Sequence, residues 1–330
     1  MVHTIQYLRA VAALMVVWHH ARNMLPELKF IFTSDFGASG VDVFFVISGF
    51  IMVLTTEHKN VAPLQFIGRR MIRVVPLYWL LTLVMIFGAI SPLGLFGSTQ
   101  VHLDTAVKSL FFIPHYSKSW PEHIWPILVP GWTLNYEMFF YAVFAGSLLI
   151  KQSIRVFALA SAFAALVGGG LFLNPTENPL VQTYTNPILL EFVFGALIAK
   201  FWLSGHLKLS AISSFCFFLF GAVLLVAAPL DGLGRVFGAV LMVAGVLNLW
   251  EFRISVAHAL GDASYSIYLI HVFTLGVVRL LWIKVFPGPL NVVGGWGYML
   301  TSLVVCAAVG WVCYYWIEHP ITQSLHSRFS

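Results

Sequence analysis

The stretch Leu8–His20, LRAVAALMVVWHH, decides how the rest of the chain is read. It runs on from VHTIQY like the start of a membrane span, yet it opens with Arg9 and closes with two adjacent histidines, His19 and His20. An isolated charge at mid-bilayer costs at least ~2.5–3.5 kcal/mol, so ionisable groups inside a span mark function by default. Helical register distinguishes the two histidines. At ~100° per residue the step from Arg9 to His20 is three turns plus ~20°, so His20 lies on the Arg9 face, roughly 16 Å further along the axis. His19 points ~80° away from Arg9. One helix face therefore carries a cation near one surface and an imidazole near the other.

Composition supports the membrane reading. Of 330 residues, 59% are hydrophobic and only 9% are charged, with a mean hydropathy of +0.88. Soluble domains carry about 25% charged residues. The expected fold is an all-α, polytopic membrane bundle, a single integral-membrane domain over residues 1–330 with no soluble appendage. The net charge of +5 reflects cytoplasmic loops, not nucleic-acid binding. Cys216, Cys306 and Cys313 lie in apolar runs and read as packing residues, not a disulfide framework. The N-terminus lacks a basic n-region and a small-residue cleavage site, so it reads as a retained first span.

With about 20 apolar residues per span, ten spans are expected: Ile5–Met24, Ala38–Thr56, Met71–Ile90, Trp132–Ile150, Ile154–Leu173, Asn186–Ser204, Ser210–Ala228, Leu233–Trp250, Asp262–Lys284 and Trp296–Ile317. Leu103–Ile113 is too short to span and reads as interfacial or re-entrant. Loop cations set the orientation. Lys59, Arg69, Arg70, Arg73, Lys151, Arg155, Lys200, Lys208, Arg253 and Arg328 fall on one side. Arg22, Lys29, Lys108, Lys118, Arg235 and Lys284 fall on the other. The richer side includes both termini, which places both in the cytoplasm. His20, Asp42, Glu137 and Glu191 then share the outer half of the bundle, and His271 lies near mid-membrane.

These residues resemble the integral-membrane acyltransferase 3 family, in order and over most of the chain. LRAVAALMVVWHH is similar to its R-x10-H motif, here Arg9 and His20. GVDVFFVISGF resembles its second-span signature, and RRMIRVVPLYW contains an R-x-x-R element, here Arg70 and Arg73. GWTLNYEMFFY, LEFVFGALIA, LGDASYSIYLIH and the terminal WIEHP resemble the exopolysaccharide O-acetyltransferase branch. The resemblance implies acetyl-CoA or another acyl-CoA as donor substrate, with no resident cofactor or metal. It implies a carbohydrate hydroxyl as acceptor, lipid-linked or polymeric, and His20 as the catalytic histidine. It places the chain in a bacterial inner membrane, among lipids and beside polysaccharide export machinery.

A free hydroxyl is a poor nucleophile, and neutral imidazole suits the task of base near pH 7. Asp42 or Glu137 is expected to hold its tautomer; sequence does not choose between them. Either direct attack or an acyl-histidine intermediate fits. Arg69, Arg70 and Arg73 match acyl-CoA phosphates, but they equally satisfy the positive-inside rule and bind anionic headgroups. The expected donor route enters past Arg9. Trp132, Tyr136 and Tyr141 are acceptor-site candidates or an interfacial aromatic belt, and Glu191 and His271 join the acceptor set. Ser264, Tyr268 and His271 share one face of span nine. The long loop Ser91–Gly131, with Trp120 and Trp125, is expected to cover the entrance, and its histidines read as solvated. Glu318 reads only as a helix stop before Pro320.

Two rivals fit parts of this pattern. Buried Asp, Glu and His also make proton relays, as in a proton-coupled transporter, although no internal symmetry is evident. A metalloenzyme lacks its signature, since no H-E-x-x-H or Cys/His cluster occurs.

Overall fold

The computed structural model describes residues 2–57, 59–92, 96, 98–173, 178–227, 233–249 and 254–329. Arg253, the Arg328 side chain and the expected span ends at Ala228 and Trp250 lie outside the described residues. Every regular element described is helical. In chain order these are α1 (His3–Arg22), α2 (Pro26–Ile31), α3 (Gly40–Thr56), α4 (Pro63–Ile90), α5 (Leu103–Leu110), α6 (Trp132–Ser147), α7 (Gln152–Leu173), α8 (Pro179–Tyr184), α9 (Leu189–Leu203), α10 (Ala211–Ala227), α11 (Leu233–Val246), α12 (Ser255–Asp262), α13 (Ser264–Val285), α14 (Val292–Cys313) and α15 (His319–Phe329). A helix occupies each of the ten stretches expected to span. Among the described residues six helical segments are long and apolar enough to cross a membrane: Phe36–Thr56, Pro63–Ile90, Gln152–Leu173, Pro179–Leu203, Ser264–Val285 and Val292–Ser327. Helices α10 and α11 are shorter and apolar.

The chain forms two compact units whose segments interleave in sequence. The first comprises residues Met1–Ile47 and Phe201–Pro320. Its core joins α1, α2, α13 and α14 through Ala13, Val17, Leu28, Ile267, Leu275, Tyr298 and Met299, all buried. Small residues let these helices approach, as lipid-embedded bundles require. A Cβ at Gly261 would lie 2.2 Å from the Gln6 carbonyl oxygen, and one at Gly310 would lie 2.4 Å from Ile267 Cγ1.

Two boundaries in this unit differ from expectation. Asp262 ends α12, and α13 starts at Ser264. Glu318 does not stop the last span. A π-helical turn, Tyr314–Glu318, carries the chain into α15. Pro320 is the second residue of α15, directly after the π-helical turn, an irregularity of the kind that accompanies a proline inside a continuing helix. Glu318 is buried and accepts a 2.6 Å hydrogen bond from Ser266 Oγ on α13.

The second unit comprises Ser48–Lys200 and Ile321–Ser330. Helices α3 and α9 run in the same direction here. A Cβ at Gly49 would fall 1.9 Å from the Phe192 carbonyl oxygen. Eight residues further along each helix, Lys200 Nζ meets Glu57 Oε1 at 2.9 Å. The chain between α4 and α6 folds back along α4. Tyr78 and Trp79 donate to the carbonyls of Ser109 and Leu110, and Tyr78 stacks on Phe112 at 4.8 Å. Gly131, just before α6, abuts the Tyr78 ring, where a Cβ would lie 2.5 Å away. Helix α6 therefore begins beside the middle of α4, and α5 with the segment that follows packs along the second half of that helix. Leu103, Val107 and Phe111 lie on one exposed stripe of α5 and the residue after it.

Candidate active site

In the first unit α1 and α13 bring two imidazoles together. The rings of His20 and His271 lie 4.8 Å apart, tilted by 38°. His271 is fully buried. Its Nδ1 donates to the Tyr268 carbonyl at 2.5 Å. A carbonyl can only accept, so Nδ1 carries the proton and Nε2 is left as a lone pair. That Nε2 is buried without a hydrogen-bond partner. An unmet acceptor in a buried place costs free energy, and here the nearest ring is that of His20.

His19 has a different environment. Its Nδ1 donates to Asp35 Oδ1 at 2.6 Å, and Asn23 Nδ2 donates to its Nε2 at 3.4 Å. Asp35 also faces Arg22 Nη1 at 3.6 Å. Arg22 in turn donates to the carbonyls of Phe32 and Thr33, at 2.5 and 3.2 Å. This clamp fixes the end of α1 to the Phe32–Asp35 segment. The ring of His19 meets His20 edge-on at 4.8 Å.

Asp42 is engaged elsewhere. Its Oδ2 pairs with Arg235 Nη2 of α11 at 2.9 Å, and both side chains are largely buried. Arg235 Nε also donates to Ser39 Oγ at 2.8 Å. The turn Phe36–Ser39 and the start of α3 touch the backbone of α1. A Cβ at Gly37 would sit 2.4 Å from the Met15 carbonyl oxygen, and one at Gly40 would sit 2.4 Å from that of Ala12. Arg22 and Arg235 are thus buried, ion-paired groups and not free loop charges.

Glu137 belongs to a second cluster, within the other unit. Its Oε1 accepts from the Tyr141 hydroxyl, one turn on, and from Ser48 Oγ at 3.2 Å. Tyr141 packs edge-on to Phe66, one turn before Arg70 on α4, at 6.2 Å. Arg70 lies over the Phe66 ring at 5.5 Å and within electrostatic reach of Glu137 and Tyr141. The expectation that Glu137 lies at the opposite end of the bundle from the arginines therefore does not hold. Because α6 starts halfway along α4, Glu137 comes level with Arg70.

The other candidates are placed as follows. Arg9 Nη1 donates to Gln6 Oε1 at 2.9 Å on its own helix. Arg69 is exposed and Arg73 half-buried, unlike Arg70, whose Nε is buried with no acceptor. Trp132 and Tyr136 form an edge-on pair at 5.9 Å, and Tyr136 shares a hydrogen bond with Thr183. Tyr141 is buried with its hydroxyl committed to Glu137. Glu191 is buried in the first turn of α9. Among the described residues no three His, Cys, Asp or Glu side chains converge as metal ligands. Asp35 and Arg235 went unrecognised in the sequence. Asp35 lies in the polar run TSDFG between spans, and 193 residues separate Arg235 from Asp42, so no periodicity marks either pairing.

The model of the Acyl_transf_3 family, an acyltransferase domain, matches residues 2–315. The chain is 40% identical to the exopolysaccharide production protein ExoZ of Rhizobium meliloti (strain 1021) over 300 residues, covering 88% of this chain and 92% of that one. Nodulation protein 10 of Rhizobium leguminosarum bv. viciae is 25% identical, covering 95% and 91% of the two chains. The acyltransferase MdmB of Streptomyces mycarofaciens is 24% identical, covering 88% and 82%. No solved structure matches the chain.

Proposed function

The chain belongs to the acyltransferase 3 family, and from that premise we propose that it moves an acyl group, most simply acetyl, from cytoplasmic acyl-CoA to a hydroxyl of an exported carbohydrate. Likeness to an exopolysaccharide production protein supports a polysaccharide or its lipid-linked precursor as acceptor. The proposed setting is a bacterial inner membrane, with both termini in the cytoplasm and the export machinery nearby.

The observation that carries the catalytic part is the buried lone pair of His271 Nε2 against the His20 ring. An N–H of His20 that donates to it leaves the other His20 nitrogen as a base. That nitrogen takes the proton of the acceptor hydroxyl while its oxygen attacks the thioester carbonyl carbon. The C–S bond then breaks, and the proton passes to the departing thiolate. In this reading His271 takes the orienting role that the sequence reading gives to Asp42 or Glu137; Asp42 is instead paired with Arg235, and Glu137 accepts from Tyr141 and Ser48. Arg69 and Arg73 are the proposed contacts of the donor phosphates. Arg70 lies within electrostatic reach of Tyr141 and Glu137 and is not assigned to the donor.

The test is a gene deletion. The exported polysaccharide of the deletion strain should lose base-labile acyl groups, and a plasmid copy should restore them. An unchanged acyl content, together with a proton-driven flux in vesicles holding only this protein, would transfer the buried groups to a transporter.

A further inference from the structure

Helices α13 and α14 enclose an apolar groove that the mechanism does not use. It holds about 800 Å³ and is lined by residues of α13 from Ile270 to Val285, by Phe286, and by Gly297, Thr301, Val305 and Val309 of α14. That volume falls within the ~300–1,000 Å³ of small-molecule sites. Val277, Leu281, Val285 and Phe286 are exposed along it, so it opens to the lipid side. Thr274 donates its hydroxyl to the Ile270 carbonyl at 3.2 Å, which leaves the wall around it apolar. A Cβ at Gly297 would lie 3.1 Å from Trp282 Cη2, so the missing side chain keeps the outer end open.

Length separates the possible occupants. Sixteen residues carry α13 from Ile270 to Phe286, so the groove runs ~24 Å along the helix. The hydrocarbon of one leaflet is ~15 Å deep, half of the ~30 Å core. A phospholipid tail confined to one leaflet leaves the inner third empty, whereas a longer chain fills it. The inner end is formed by Ile270 and Thr274, which flank His271 in the chain. A cation marks the outer end. Arg279 is exposed six residues before the last residue of α13, ~9 Å inside the helix terminus. Among the described residues it makes no ion pair or hydrogen bond, and the buried Tyr298 hydroxyl lies within its electrostatic reach. An unpaired guanidinium at that depth is costly and calls for an anion. Trp282 and Phe286, both in the groove wall, share its helix face at i+3 and i+7. Lys284, in the last turn of α13, is a second exposed cation.

We propose that this groove binds the acceptor's lipid anchor, a polyprenyl diphosphate, with the isoprenoid chain between α13 and α14 and the diphosphate on Arg279 and Lys284. A long hydrocarbon matches the apolar length, and two adjacent phosphates match two cations at one end. In the proposed orientation that end faces outward, so the glycan hangs on the outer side while its anchor lies along the helix that carries His271. This occupant presupposes the carbohydrate-acceptor reading above and chooses its lipid-linked form over the polymer.

The experiment uses the full-length protein in nanodiscs of zwitterionic phospholipid. One de-O-acylated oligosaccharide is offered free, on a diphosphate with a single isoprene unit, and on a diphosphate with a long polyprenyl chain. Wild type should show the lowest KM for the long chain. Val277→Trp, which fills the groove, should raise that KM about tenfold. Arg279→Gln should raise KM for both diphosphate-linked acceptors about fivefold, and in each variant the change for the free oligosaccharide should be much smaller. Equal wild-type KM values for free and long-chain acceptors would overturn the groove, as would variants that weaken all three acceptors alike, the mark of a structural role. A second measurement needs no variant and no turnover. A polyprenyl diphosphate with a photoreactive group in its chain should label α13 and α14 of wild type, and a phospholipid with the same group should not. Equal labelling by both probes would make the groove ordinary lipid-facing surface. If no acceptor is acylated, the functional reading falls by itself, and the labelling still decides the groove.

Discussion

Replacing Arg235 with Met isolates the buried ion pair that holds α3 against α11. Arg235 and Asp42 keep only 9% and 13% of their side-chain surface exposed, and their charged atoms meet at 2.9 Å. Removing one partner leaves a carboxylate buried without its cation, which typically costs about 3–5 kcal/mol. The lost donor to Ser39 adds to this. The apparent Tm of detergent-solubilised protein, followed by tryptophan fluorescence, should fall on the order of 5–10 °C. Activity at permissive temperature should fall too, because the Phe36–Ser39 turn touches the α1 backbone at Met15 and His19. The double variant Arg235→Met with Asp42→Leu removes both charges and should recover most of the lost stability, since an apolar pair of similar volume replaces the ions at little cost. A single variant that unfolds like wild type would show a solvent-screened pair, worth ~0–1 kcal/mol, and the buried placement of Arg235 would be wrong.

Other consequences are equally open to measurement. Asp35→Asn should lower kcat several-fold, well short of the loss on replacing His20, because Asp35 fixes the end of α1 through His19 and has no contact with His20 itself; a dead Asp35→Asn enzyme would make the His19–Asp35 pair the catalytic one. Arg69→Ala with Arg73→Ala should raise KM for acyl-CoA, and added salt should mimic it. Arg70→Ala should instead destabilise the Glu137 cluster; identical donor titrations in the double variant and wild type would return Arg69 and Arg73 to topology and lipid anchoring. For sidedness, in a background without Cys216, Cys306 and Cys313, a membrane-impermeant thiol reagent on intact cells should label Ser119→Cys and spare Lys59→Cys. The opposite labelling would put the arginines outside, without a cytoplasmic donor.

The ten stretches read as spans from their hydropathy all hold helices, since a run of apolar residues is a local property. The register of α1 likewise places His19 and His20 on different sides, and the two meet different partners, Asp35 and His271. Pairings across the chain were not legible. Asp42 and Glu137 both suited a histidine, but the choice depended on where Arg235 and Arg70 lay. The depth of Glu137 was misread because the segment after α5 returns beside Tyr78, so α6 starts midway along α4. Short helices such as α12 give no 20-residue signal. Asp35 sits in a polar linker, where an acidic residue is unremarkable.

The central claim is that an intramembrane imidazole at position 20, oriented by His271, performs acyl transfer. Its direct test is a single-turnover assay in proteoliposomes with radiolabelled acetyl-CoA and de-O-acylated exopolysaccharide. It compares wild type, His19→Ala, His20→Ala and His271→Ala at matched amounts of folded protein. The account predicts that His20→Ala loses transfer to background, that His271→Ala falls by about 100-fold or more, a range consistent with loss of general-base catalysis, and that His19→Ala retains measurable transfer. Full activity in His20→Ala, with none in His19→Ala, would contradict it and move the chemistry to the Asp35-bound imidazole.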